Sequence, residues 1–162
     1  MAEGICYGRT DLGLAESAAE CARRLAPQLP ADIPLYSSPL RRCRELAEAL
    51  HPAPIFDDRL VEMNFGAWEK RPWAELRRTE MDQWIADLLG FCPPGGESAG
   101  MLHDRVADFV RERQREGCAA VALITHSGVM KVIAGALLGL PADKWFSLNF
   151  DYATLLTIQL EP

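Results

Sequence analysis

With 162 residues, 49% of them hydrophobic and 25% charged, the chain has the make-up of one ordinary globular domain. Its net charge of −6 excludes a protein that holds nucleic acid along a basic face, while a small anionic ligand gripped by a local cluster of donors stays open. The apolar run at 129–140 carries Lys131 and is shorter than the roughly 20 residues of a membrane span, the start has no signal-like pattern, and the five cysteines form no CxxC pair, so a cytoplasmic chain with reduced thiols and no membrane anchor is expected.

In chain order, residues 16–29 place Ala19, Ala22, Leu25, Ala26 and Leu29 at helical spacing, closed by Pro30. Residues 33–37 read as a short strand leading through Ser37-Ser38-Pro39 into a helix that ends near Leu50. A second short strand is expected at 54–57, followed by a loop at 60–68 that mixes large apolar with polar residues. Helical periodicity returns at 73–89 and is broken by Pro93-Pro94-Gly95-Gly96. Ser98 suits the N-cap of a helix over 98–115, with Leu102, Val106, Phe109 and Val110 on its apolar face. A continuous apolar strand at 119–125, a helix at 129–138 and a last strand at 153–160 complete the pattern. Alternating strands and helices predict an α/β fold, and strands without polar alternation predict a largely parallel sheet covered on both faces.

In such sheets ligands lie beyond the carboxyl ends of the strands, where both Ser37-Ser38 and Thr125-His126 fall. His126 precedes a helix whose first amides, those of Ser127, Gly128 and Val129, suit an anion, although a histidine capping a strand would look the same. Of Arg41, Arg42 and Arg44, the adjacent pair lies about 100° apart on a helical wheel, so only one of the two can face a cleft, and a solvated basic face is the plainer reading. Glu62 sits among Leu60, Met63, Phe65 and Trp68, a setting that would raise a carboxyl pKa, yet a surface acid is equally compatible with the spacing. His51 and His103 read as structural, and three scattered histidines without a cysteine pair predict no metal site.

Taken together, Gly8-Arg-Thr-Asp11, Ser37-Ser-Pro-Leu-Arg-Arg42, Leu60-Val-Glu62, Phe65-Gly-Ala-Trp-Glu69, Pro94-Gly-Gly-Glu-Ser98 and Ile124-Thr-His-Ser-Gly128 occur in an order and spacing that resemble the histidine phosphatase superfamily, the phosphoglycerate-mutase-like proteins. Within it the chain looks most like the short bacterial branch of α-ribazole-5′-phosphate phosphatases. The resemblance implies a three-layer α/β/α fold with a mostly parallel sheet. It also implies hydrolysis of a small phosphorylated metabolite through a phosphohistidine, without metal or organic cofactor. By the same resemblance Arg42 clamps the phosphate, Glu62 protonates the leaving oxygen, His126 holds phosphate oxygens with Ser127 beside it, and Gly8 and Arg9 lie on the rim of the substrate pocket.

The attacking histidine of the family belongs to an Arg-His motif that ends a first strand, well ahead of the Gly-Arg-Thr-Asp segment. No Arg-His pair occurs in these 162 residues, and neither His51 nor His103 matches that position. The expectations are a true start upstream of Met1, a nearly inactive 162-residue chain, and a slot left by the first strand that a partner subunit or rearranged segment covers. Phosphoglycerate-mutase-type transfer and a non-catalytic phosphate-binding protein are the competing readings.

Overall fold

The structure, a computed structural model, describes residues 4–30 and 32–158. Helix α1 (Ala18–Leu25) buries Cys21, Ala22 and Leu25 on one face and tightens into a 3₁₀ turn over Ala26–Gln28, where Pro27 removes an amide donor. Strand β1 (Leu35–Ser37) leads into helix α2 (Arg41–Leu50), whose start is held by a distant residue: Asp11 Oδ1 accepts the Arg41 N–H at 2.8 Å. Strand β2 (Ile55–Phe56) follows, and the residues after it turn through Asp58–Leu60, Gly66–Trp68 and Trp73–Glu75 before helix α3 (Arg78–Ala86). Helix α4 (Ala99–Arg115) begins at the expected cap, with Ser98 Oγ accepting the Met101 N–H at 3.2 Å. Strand β3 (Ala122–Ile124), helix α5 (Ser127–Leu137) and helix α6 (Ala142–Trp145) complete the elements.

The sheet is parallel throughout, in the order β2-β1-β3, with Tyr36 opposite both Ile55 and Leu123. Side chains alternate across it as the two-residue period requires. Leu35, Ala122 and Ile124 pack with Ala47 of α2, while Tyr36 and Leu123 pack with Phe109 of α4. Sheet and helices thus form three layers, as expected. A second core joins α3, α4, α5 and α6 around Met63, Phe65, Trp68, Leu102, Val106, Val129 and Trp145. Among the described residues no helix is long and apolar enough to cross a membrane.

Two expectations on secondary structure need correction. The helix expected over 73–89 is shorter, because Trp73 stacks on Trp84 with ring centroids 6.1 Å apart. Eleven residues of straight helix would separate the two by roughly 16 Å along its axis, so the chain must fold back between them. Leu76 makes that bend in an extended conformation and is buried. The strand expected over 153–160 does not form within residues 153–158; residues 159–160 lie outside those described. Ala153 adopts φ 50° and packs against the cluster of Cys21, Ala22, Leu25 and Leu46. Among the described residues β3 pairs only with β1, so its outer edge is open, and a lone extended segment gains no ladder to satisfy its amides.

Candidate active site

The carboxyl ends of β1 and β3 meet where the Ser38 N–H donates to Ile124 O at 2.9 Å. β1 runs into fully buried Ser37 and Ser38, and α2 then turns Arg42 back over the strand ends. β3 ends on Thr125, whose hydroxyl donates to Leu60 O at 2.7 Å, and on His126, which is 6% exposed. Parallel pairing of these two strands brings residues 84 positions apart into contact: Arg42 Nε donates to His126 Nδ1 at 3.1 Å.

A guanidinium has no acceptor, so His126 Nδ1 carries no proton and Nε2–H donates to Ser38 Oγ at 2.8 Å. The ring is neutral. Burial first, then repulsion from Arg42 and Arg105, pushes its pKa down to about 3. Cys43 lies against the same ring, its sulfur 3.5 Å from Nε2, and burial raises its thiol to about 12, so it is a thiol rather than a thiolate.

The rest of the Arg42 fork is occupied from a third direction. Nη1 donates to Thr10 O at 2.9 Å and Nη2 to Gly8 O at 2.6 Å. Glu69 fixes this loop: its carboxylate accepts the Arg9 N–H at 2.9 Å, the Thr10 N–H at 2.7 Å and the Thr10 hydroxyl, with the Phe65 N–H at 3.3 Å. Burial pulls the Glu69 carboxyl up, but these donors together outweigh it and hold its pKa below the usual range. Position 8 must be glycine for the loop to lie this close, since a Cβ there would stand 1.8 Å from Met63 O.

Glu62 leaves the loop after β2 and reaches α5, where its Oε2 accepts the Gly128 N–H at 3.0 Å and its Oε1 accepts the Met63 N–H at 2.9 Å. Desolvation raises its pKa against the pull of those two amides and of Arg42 and Arg105. A Cβ on Gly128 would lie 2.3 Å from Glu62 Oε1, so glycine is what admits the carboxylate to this helix end.

Among the residues singled out from the sequence, the structure therefore gathers Gly8, Arg42 and His126 into one bonded group and sets Glu62 on the first turn of α5. Ser127 is exposed at the first position of α5, and the Gly128 amide expected to face an anion is taken by Glu62. Arg9 is half exposed, with Nη2 3.7 Å from Glu97 Oε1. Arg41 points outward to Glu45, Arg44 lies over the Phe56 ring, His51 accepts the Ala53 N–H, and His103 stacks on Trp145. Sequence reasoning reaches Ser38 through its strand end but misses Cys43, Thr10 and Glu69; Thr10 and Glu69 lie inside family-like motifs, yet nothing local marks their partners.

Chemically, the site holds a cationic fork with three of its five N–H groups on neutral acceptors, beside a neutral imidazole and an acid whose pKa burial raises. A phosphate dianion is a stronger acceptor than any of these carbonyls. The imidazole also sets a pH dependence. His126 has its folded pKa depressed from 6.5, so the unfolded chain binds the extra proton first and stability falls as pH drops below about 6.5 toward about 3. At pH 5 that loss is about 2 kcal/mol. Glu62, raised, works the opposite way, contributing stability that is present in acid and lost as pH rises past its unfolded value. His126→Gln is therefore expected to narrow its stability gap to the parent chain between pH 7.5 and pH 5, read from urea midpoints; a gap that stays constant would place the charged imidazole in the folded state.

The histidine phosphatase superfamily (branch 1) matches the chain over residues 1–162. Phosphoserine phosphatase 1 of Hydrogenobacter thermophilus is 30% identical over 169 residues, covering 98% of this chain and 80% of that protein. The adenosylcobalamin/alpha-ribazole phosphatase of Escherichia coli (strain K12) is 28% identical over 123 residues, covering 67% of this chain and 61% of that protein. The native structure of mycobacterial glucosyl-3-phosphoglycerate phosphatase Rv2419c is similar with a TM-score of 0.77 at 26% identity, covering 90% of this chain and 77% of that one.

Proposed function

Because the chain belongs to the histidine phosphatase superfamily (branch 1), we propose that it provides the phosphate-gripping part of a phosphomonoesterase acting on a small phosphorylated metabolite. The observation that carries this reading is the direct contact of Arg42 with His126 at the carboxyl ends of two neighbouring parallel strands. An incoming phosphate displaces the carbonyls of Gly8 and Thr10 from Arg42 and takes the fork in their place. The His126 Nε2–H turns from Ser38 to a phosphate oxygen, Ser127 and Arg9 line the rim, and Glu62 delivers its proton to the departing oxygen. No metal or organic cofactor enters this scheme. The five cysteines, all free, suit a reducing compartment such as the cytoplasm.

In this reading His126 holds phosphate and does not attack. We propose that the attacking histidine stands on a strand docked on the open edge of β3 and lies outside these 162 residues, in which no Arg-His pair occurs. Without it the 162-residue chain is expected to turn over at least ~10⁴-fold more slowly. A second copy resting on the same edge would appear as a dimer in light scattering.

The test compares hydrolysis of p-nitrophenyl phosphate by this chain and by a version extended through the in-frame upstream codons, each with a His126→Ala control. Activity confined to the extended form supports the proposal. Equal inactivity of both favours a non-catalytic phosphate binder, and His126-dependent activity in the short form would make His126 the nucleophile. Phosphoserine, α-ribazole-5′-phosphate and glucosyl-3-phosphoglycerate, offered to the active form, discriminate among the three substrate classes suggested by the relatives.

A further inference from the structure

The segment Pro94-Gly-Gly-Glu-Ser98 has no part in the reaction just described, yet it makes a buried ion pair a short distance from it. The Glu97 side chain is 8% exposed and that of Arg105 is 17% exposed, with Nη2 to Oε1 at 2.7 Å and Nε to Oε2 at 3.2 Å. Apart from Arg9, whose Nη2 lies 3.7 Å from Glu97 Oε1, the further contacts of the pair fall on one stretch of backbone. Arg105 Nη1 donates to Arg59 O at 2.7 Å and Nη2 to Glu62 O at 3.2 Å, while Glu97 Oε1 accepts the Asn64 N–H at 2.9 Å. The Glu97 N–H also donates to Asn64 O at 2.9 Å.

We propose that the Glu97–Arg105 pair is the positioning element for Glu62, gripping the backbone at 59, 62 and 64 so that the carboxyl of Glu62 is presented at the start of α5. The proposal rests on the reading of Glu62 as the proton donor. It accounts for the whole segment. Gly96 lets the two loops lie back to back, since a Cβ there would stand 2.4 Å from Asn64 O, and Gly66 makes the reciprocal approach with φ 52° and 2.3 Å to Pro94 O. Glu97 then meets Arg105 one turn and more along α4, and Ser98 caps that helix. Glu62 is in this way suspended between two helices, its backbone tied to α4 and its carboxylate to α5.

Pairing two buried charges is a poor way to gain stability, because both must be taken out of water. What the arginine fork supplies is direction: donors in a rigid plane reach one carboxylate and two carbonyls at once, which an ammonium on a flexible stem does not reproduce. The titratable and charged groups facing Glu62 are Arg42 and Cys43 of α2, Arg105 of α4 and Tyr7.

The test follows the Glu62 carboxyl carbon and the Gly128 amide proton by NMR across a pH titration of the 162-residue chain. In the parent both should report one shared titration. Arg105→Gln and Arg105→Lys are each expected to remove at least half of the Glu62-linked change at Gly128, the lysine variant showing that charge alone does not suffice. Should Arg105→Gln not fold, Glu97→Gln, which keeps an acceptor for Asn64, carries the same comparison. Leu46→Ala, in the α1–α2 cluster, serves as a control of lowered stability that should leave the Gly128 titration intact. Full parental amplitude in the Arg105 and Glu97 variants, or equal loss in Leu46→Ala, overturns the proposal. Failure of the parent reading looks different: Glu62→Gln would then keep the activity of the extended chain while the Gly128 result still held.

Discussion

Arg42→Ala is expected to weaken the binding of inorganic phosphate to the 162-residue chain by ~100-fold, measured by isothermal titration calorimetry. Hydrogen bonds to charged groups contribute about 1.5–3 kcal/mol each, and losing two at the low end removes about 3 kcal/mol, or two decades of affinity. Arg42 is the guanidinium at which β1, β3 and the loop at 8–10 converge, since it already bonds His126, Gly8 and Thr10. Arg42→Lys keeps the charge and loses the fork, so it should recover only part of the affinity. Phosphate binding that survives Arg42→Ala unchanged would mean that the fork only staples the loop to α2 and that the anion site lies elsewhere. Circular dichroism of each variant separates that outcome from unfolding.

Trp68→Ala is expected to have the largest effect on stability, about 3–5 kcal/mol, which for a chain of this size lowers the melting temperature by roughly 10 °C. Trp68 is 1% exposed, stacks on Phe91 with centroids 5.8 Å apart, meets Trp84 edge to face at 5.9 Å, and donates from Nε1 to Glu80 Oε2 at 2.9 Å. Truncation opens a void bounded by other rings that cannot collapse into it, and leaves the Glu80 oxygen without that donor. Ile85→Ala, at a side chain 65% exposed on α3, should shift the melt by no more than a degree or two. A melt of Trp68→Ala within that range would show that the aromatic cluster relaxes around the loss.

The parts of this fold that a reader of the sequence can anticipate are those set by local patterns. The α4 periodicity with its Ser98 cap, the apolar strands before Ser38 and His126, and the placement of both at strand ends follow from spacings of two and 3.6 residues. What escapes is set at long range. Whether Arg41 or Arg42 turns inward is undecided on a helical wheel, and it is resolved by Asp11, Gly8 and Thr10, thirty or more positions away. The four donors on Glu69 include residues 59 and 60 positions distant, so a carboxylate that organises the loop reads locally as one more surface acid. The bend at Leu76 answers to the stacking of Trp73 on Trp84, and residues 153–158 stay irregular; neither is visible in side-chain period.

All four tryptophans of the chain belong to the core around Met63 and Leu102, and none lies on the sheet or on the α1–α2 side. Tryptophan emission therefore watches one half of the molecule, whereas far-ultraviolet dichroism watches both. The two halves meet along a seam crossed by helix α4, whose Leu102 and Val106 belong to the tryptophan core and whose Phe109 packs with Tyr36 of the sheet. If the seam holds to the end, the two optical signals vanish together on denaturation. If the sheet side loosens first, dichroism departs while emission is still native, and the order of the two transitions tells which half is the scaffold of the other.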